Sequence, residues 1–275
     1  MLLLINSQKI GLQAKKILNS PKDQYDAQQR TIFHEIMDSK LPNSEKGVDR
    51  LAREGMTLVG AGTITTAWTL AVAVYYILAD PSVLKKLRAE LQTAIPDPSE
   101  TPLLSTLDQL PYLRGVAQEA LRLSYGVTNR PQRIPQEDTI FTDPSTGRQW
   151  IIPAGTPCSS SSVILHHDET NFPNSWEFLP DRWIDNPRLD RYQVAFTKGT
   201  RACLGITLAY AELHLMLAGI FRRYGTEDCK LEGDSGILEL FKTERRDVIA
   251  IADYQVPGVW AGSKGVRVRI SPVNS

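Results

Sequence analysis

The sequence predicts a mostly helical α+β domain, and three observations carry that reading. The first half places apolar residues at helical spacing. From residue 131 onward, prolines and glycines punctuate short strand-prone stretches. One more helical run, at residues 204–222, then precedes a closing pair of alternating segments. Helices, then strands and coil, then a helix, then strands is an α+β order rather than an alternation of βα units.

The elements follow in order. Residues 8–40 read as helical pieces broken at Asn19-Ser20-Pro21, with Ile32, Phe33, Ile36 and Met37 as an apolar stripe. Asn43-Ser44 leads through a charged turn into a long helix ending at Asp80-Pro81. Within it, residues 56–79 run for 24 positions without a charge, long enough to cross a bilayer. Gly60, Gly62 and most of its five threonines lie in the first half, which suits a long buried helix passing a ligand better than a membrane span. An amphipathic helix comes next, with Leu84, Leu87 and Leu91 on one face and Lys85, Lys86, Arg88 and Glu90 around it. A third helix starts near Pro111, with Asp108 upstream as its cap, and buries Leu113, Val116, Ala117, Ala120 and Leu121. Strands are expected at 139–141, 150–152 and 162–165, irregular coil over 172–190, and a closing hairpin between 247–252 and 265–270.

Composition narrows the function classes. A chain of 275 residues is one large domain or two ordinary ones. Zero net charge gives no footprint for nucleic acid. Cys158, Cys203 and Cys229, odd in number and irregularly spaced, argue against a disulfide framework and fit a reducing compartment. The apolar stretch at residues 1–5 is too short for a signal-peptide core or a membrane anchor.

The segment Phe196-Thr197-Lys198-Gly199-Thr200-Arg201-Ala202-Cys203-Leu204-Gly205 concentrates the chemistry. It sets one cysteine in a glycine-containing loop directly before a helix-forming run. A thiolate there lies at the positive end of a helix macrodipole, beside free N–H groups. Gly199 and Gly205 allow a tight turn and close approach to a flat ligand. Arg201 can reach an anionic group on that ligand. The combination suits a cysteine bound to haem iron, with the arginine on a haem propionate.

The pattern Phe-x-x-Gly-x-Arg-x-Cys-x-Gly resembles the haem-binding loop of the cytochrome P-450 family at every fixed position. Further residues then acquire roles from that resemblance. Glu119, Arg122 and Arg182 match a buried Glu-Arg-Arg cluster that locks the coil beneath the haem; by themselves they read only as a helical pair and a distant arginine. Arg133, eleven residues after Arg122, matches a position that pairs with the second propionate. Ala61-Gly62-Thr63-Ile64-Thr65-Thr66 looks like the oxygen-activation segment, in which Thr65 and Thr66 are the catalytic hydroxyls. The commonest family pattern has an acid immediately before this threonine; Ile64 stands there instead. His166-His167-Asp168 matches a structural His-x-Asp, so no metal is assigned to it. The segment 126–129 would pass over the haem and touch substrate.

The resemblance covers residues 42–275 and implies the C-terminal portion of the cytochrome P-450 fold, a long central helix over haem with small β-sheet elements. It implies a single domain over 1–275 that starts about midway through the fold. That makes it either a truncated chain or one needing a partner to complete the pocket. The wording of residues 58–63 and 178–183 is similar to filamentous-fungal members of secondary metabolism. The implied activity is insertion of one oxygen atom from O2 into a small apolar organic substrate. Electrons would come from an NADPH-dependent cytochrome P-450 reductase on the cytosolic side of the endoplasmic reticulum. Two alternatives stand beside it: a non-catalytic remnant unable to retain haem, and a reductase-independent haem-thiolate isomerase or dehydratase.

Overall fold

In a computed structural model, residues 2–20 and 30–273 are described. Helices α1 (Leu2–Asn19), α2 (Ile32–Asp38), α3 (Val48–Ala79), α4 (Pro81–Ala94), α5 (Leu104–Leu107) and α6 (Pro111–Ser124) come first. Strands β1 (Gln132–Arg133), β2 (Thr139–Thr142), β3 (Gln149–Ile152) and β4 (Cys158–Ser159) follow. Helices α7 (Ser162–His166), α8 (Asp181–Asp185) and α9 (Ile206–Phe221) lead to β5 (Tyr224–Gly225), β6 (Gly236–Leu240), β7 (Ala252–Tyr254), β8 (Val256–Gly258) and β9 (Val268–Ser271). The predicted α+β order holds. The first helical piece ends at Asn19 as expected, whereas Pro21 lies outside the described residues.

The chain forms two compact units, Met1–Ile64 and Thr65–Ser275. In the first, Ala14, Ile17, Phe33 and Leu51 make a small core, with Ile36 and Met37 packed against it. In the second, Val72, Ala73 and Ile77 of α3 join Leu84, Leu87 and Leu91 of α4. Leu113, Val116 and Ala120 of α6 and Leu217 and Phe221 of α9 complete that core. Burying each large apolar side chain contributes roughly 1.5–3 kcal/mol.

Several local expectations change on contact with the rest of the chain. By length and composition α3 could cross a bilayer. Its second half packs as core and Leu51 packs in the first unit, but Leu58, Val59 and Ile64 between them are exposed, so the long helix is not buried throughout. Asp108 does not cap α6. The carboxylate of Glu90 on α4 takes the N–H groups of Tyr112 and Leu113, both at 2.8 Å, and places its negative charge at the positive helix end. Arg88, expected on a polar face, is buried and paired with Asp234 at 2.7 Å. Residues 162–165 are helical (α7) rather than a strand, because a short apolar run is compatible with either and Ser162 Oγ anchors it to the Val127 carbonyl. The coil over 172–190 contains α8 and a short 3₁₀ turn, Pro187–Tyr192.

The closing hairpin is also different. β9 pairs antiparallel with β6, setting Ile270 opposite Leu238 and Val268 opposite Leu240, while β5 lies parallel to β6 on its other side. The segment 247–252 turns through Asp247 and supplies β7, whose partner is β8. Two further antiparallel pairs stand near the middle of the chain, β1 with β4 and β2 with β3.

Helix α6 ends in a tight reversal. Tyr125 and Gly126 both take left-handed conformations, at φ 64° and 66°. A Cβ on Gly126 would collide with the backbone carbonyl of Ala195, just before the cysteine loop. Gly126→Ala therefore meets both the left-handed penalty and an overpacked contact, and should cost about 2–4 kcal/mol. Urea unfolding of the variant checks this, and an unchanged midpoint would show that the turn does not pack on Ala195.

Candidate functional site

The cysteine loop is closed by its own backbone. Cys203 N–H donates to the Phe196 carbonyl at 2.9 Å, Ala202 N–H to Gly199 O at 3.0 Å, and Thr197 N–H to Val194 O at 2.9 Å. Thr197 Oγ1 donates to Arg201 O at 3.0 Å across the loop. Gly199 takes φ 76°, a conformation that glycine adopts without cost. Gly205 does not use that freedom; its φ is −91° at the N-cap of α9. Its missing side chain instead leaves room beside sulfur, since a Cβ there would meet Cys203 Sγ at 3.9 Å.

The result is a free, exposed thiol on a fixed turn ahead of α9. Large apolar side chains stand exposed after it in the chain: Leu204 is 89% exposed and Leu208, on the first turn of α9, 59%. Arg201 is exposed at the end of the 3₁₀ turn Gly199–Arg201 and makes no salt bridge among the described residues. Arg133 is likewise exposed, on β1 opposite Cys158. It lines a cavity of ≈ 360 Å³ together with Asn129, Val194, Thr197 and Lys198. A nucleophilic sulfur, an apolar apron and two arginines free for anions fit a thiolate-ligated haem with propionates. Phe196 is turned the other way and packs against Tyr210, at 5.4 Å between ring centroids, in a cluster with Leu70, Ala117 and Leu213.

The Glu-Arg-Arg residues come together as one buried knot. Arg122 grips Glu119 with two bonds, Nε to Oε2 at 2.9 Å and Nη2 to Oε1 at 2.8 Å. Arg182 Nε reaches Oε1 at 3.2 Å, Leu179 N–H the same oxygen at 2.9 Å, and Trp183 Nε1 the other at 2.8 Å. Arg122 also donates to the carbonyls of His166, Ser175 and Glu177, which fixes the coil after α7 onto α6. Glu119 and Arg122 are fully buried, so every charge and lone pair must find a partner inside. Burial lowers the Arg182 guanidinium pKa, and the Glu119 charge partly restores it.

Thr65 and Thr66 lie where α3 is pinned to α6. Thr66 is buried and Thr65 half-buried. One turn on, Thr69 Oγ1 donates to Thr65 O at 3.1 Å or shares a hydrogen bond with Ser124 Oγ at 2.9 Å, and Trp68 Nε1 donates to Ser124 O at 3.2 Å. Leu70 enters the cluster that holds Phe196, so this part of α3 and the cysteine loop share a core. Sequence reasoning did not single out Thr69 or Ser124; their signal was small polar residues at otherwise apolar positions.

His166 is fully buried. Its Nδ1 lies 2.8 Å from the Arg122 carbonyl, and its Nε2 lies 3.0 Å from Val194 N–H. A carbonyl accepts and an amide donates, so the ring is neutral with its proton on Nδ1. Burial, with the Arg122 charge adding to it, pushes its pKa down to about 3. His167, stacked on Trp176 and bonded to Tyr125 Oη, is pushed down to about 4, chiefly by burial and then by Arg122.

Both histidines take up protons near pH 6.5 when unfolded but resist them when folded. As pH falls from about 6.5 toward 4 the unfolded state binds more protons, so stability falls with pH in that window. For His166 the slope should approach about 1.4 kcal/mol per pH unit, with a smaller screened part from His167. Urea midpoints at pH 7 and pH 5 test this above the range where carboxylates titrate; equal midpoints would contradict it.

Comparison with known proteins identifies the family. The cytochrome P-450 family model fits residues 7–247. The chain is 52% identical over 272 residues to cytochrome P-450 monooxygenase astB of Talaromyces wortmannii, covering 96% of this chain and 55% of that protein. It is 53% identical over 248 residues to cytochrome P-450 monooxygenase tpcC of Cochliobolus heterostrophus, covering 90% and 47%. Tryptophan 6-hydroxylase fscE of Fusarium equiseti is 39% identical over 266 residues, covering 95% and 49%. A crystal structure of a cytochrome P-450 shares the fold at a TM-score of 0.72 and 19% identity, covering 97% of this chain and 55% of its own. The chain thus spans about half the length of the curated relatives it matches. It belongs to the cytochrome P-450 family.

Proposed function

We propose that this chain is the haem-thiolate-bearing part of a monooxygenase that inserts one oxygen atom from O2 into a small apolar organic substrate. The single observation that supports it most is the exposed Cys203 thiol, held on a closed turn and followed by exposed Leu204. Haem bound there would supply the activation of O2, the cysteine ligand donating electron density to the iron. Cys203 would be the thiolate ligand to the iron, with Arg201 and Arg133 as anion partners for the propionates. Gly199 and Gly205 would shape the turn and leave space beside sulfur, and Phe196 would anchor the loop to α9.

Thr65 and Thr66 would hold and pass protons on the α3 side of the haem. Ile64 offers no proton beside them, so delivery would rest on these hydroxyls and water. The electron source would be an NADPH-dependent cytochrome P-450 reductase, and the setting the cytosolic face of the endoplasmic reticulum. Fungal secondary metabolism is the fitting context, since the most similar relatives quoted are fungal monooxygenases.

The reduced carbon-monoxide complex of haem-loaded protein should absorb near the wavelength that names the family. Cys203→His should abolish that band, while Cys158→Ser and Cys229→Ser leave it intact. A band that survives loss of Cys203 overturns the ligand assignment. Conversion of a peroxide substrate with no net oxidation and no reductase would favour an isomerase or dehydratase instead, and a chain that takes up no haem would favour a non-catalytic remnant.

A further inference from the structure

We propose that His166 is a positioning residue for the cysteine loop, carrying the register of α6 through one neutral imidazole to the backbone that holds Cys203. The inference rests on the reading of Cys203 as the functional thiol, but its geometry is independent of haem.

A relay of backbone groups supports it. The Arg122 side chain is committed to Glu119 and three coil carbonyls, while its own carbonyl takes the His166 Nδ1 proton. That bond fixes the tautomer, leaving Nε2 as a bare acceptor for Val194 N–H. The Val194 carbonyl in turn accepts Thr197 N–H, and the next link, Phe196 O, accepts Cys203 N–H. Gln193 adds a parallel tie to α6, its Nε2 donating to Gln118 O at 2.9 Å. His166 joins the buried knot itself to the loop, and the Gln193 side chain runs beside it from Gln118 O to Ala195 N–H at 3.3 Å, while no backbone bond runs between α6 and residues 194–203 among the described residues.

The alternative is that His166 only fills space between the rings of Tyr125 and Phe172, at 6.3 and 6.2 Å. The two roles differ in which polar atom counts. The ionisable groups facing the ring are Arg122 and, beyond it, Glu119, with His167 and Tyr125 on the other side. None of them offers Val194 a substitute acceptor.

Amide exchange in the full chain at pH 7 reads the relay directly. In His166→Gln the side-chain oxygen lies at the depth of Nε2 and can still accept from Val194. In His166→Asn the polar atoms stop at the depth of Nδ1 and reach only the Arg122 carbonyl. We expect the amides of Val194, Thr197 and Cys203 to stay protected in the Gln variant and to exchange at least tenfold faster in the Asn variant, with α9 amides unchanged in both. His166→Phe, which keeps ring volume, should behave like Asn. If Asn protects the three amides as well as Gln, or if Phe does, His166 is a packing residue and the proposal fails. Should the Phe variant not fold, the Gln and Asn pair decides alone. Failure of the haem assignment would be distinguishable, since the exchange pattern would persist while the carbon-monoxide band did not depend on Cys203.

Discussion

Everything that fixes the candidate site depends on one buried carboxylate. Glu119 accepts five donors: two from Arg122 and one each from Arg182, Trp183 and the Leu179 backbone. Removing a carboxylate from water is costly, and its attraction to a buried arginine only roughly offsets that loss. The knot is therefore a device of specificity more than of net stability. It selects one path for residues 172–183, a coil with little regular hydrogen bonding of its own, because any other path strands a charge. Helix α6 provides the rigid platform, since Glu119 and Arg122 lie one turn apart on a face packed at 0% exposure.

From this platform the constraint spreads outward. Arg122 holds the carbonyls of the coil, His166 transmits to Val194, Gly126 packs on Ala195, and Phe196 seats against α9. The loop that follows is then closed by short-range bonds and positive-φ residues, with the thiol left outward. The exposed apolar residues that follow the thiol, Leu204 and Leu208, are a poor match to water. Structure and chemistry thus divide the work: buried charge sets the backbone, and sulfur, guanidinium and apolar surface are left exposed.

Much of this was legible in the residues. The decapeptide around Cys203 pointed to the candidate site through its resemblance to the family's haem-binding loop, and it folds as a closed turn with an exposed thiol. Helices α4 and α6 were legible because their apolar spacing matches the 3.6-residue period, and α9 as a continuous helix-forming run. What escaped were features decided by partners far away in sequence. Glu90 caps α6 from another helix, Arg88 is buried only because Asp234 comes to meet it, and the 162–165 run folds as a helix where Ser162 finds Val127. The closing hairpin was misread because β9 has a better apolar partner in β6 than in the segment 247–252, whose Asp247 prefers a turn. His166 was visible in the His-His-Asp triplet, but its role needed the position of Val194.

The most direct measurement is a double-mutant cycle between Glu119→Ala and Arg182→Ala, read as unfolding free energy in urea. Arg182 is the right partner because it joins the far end of the coil to α6 without gripping Glu119 twice. A coupling above about 1.5 kcal/mol is expected for a desolvated pair inside a shared network. A coupling below about 0.5 kcal/mol, the range of exposed ion pairs, would contradict a carboxylate that organises the site.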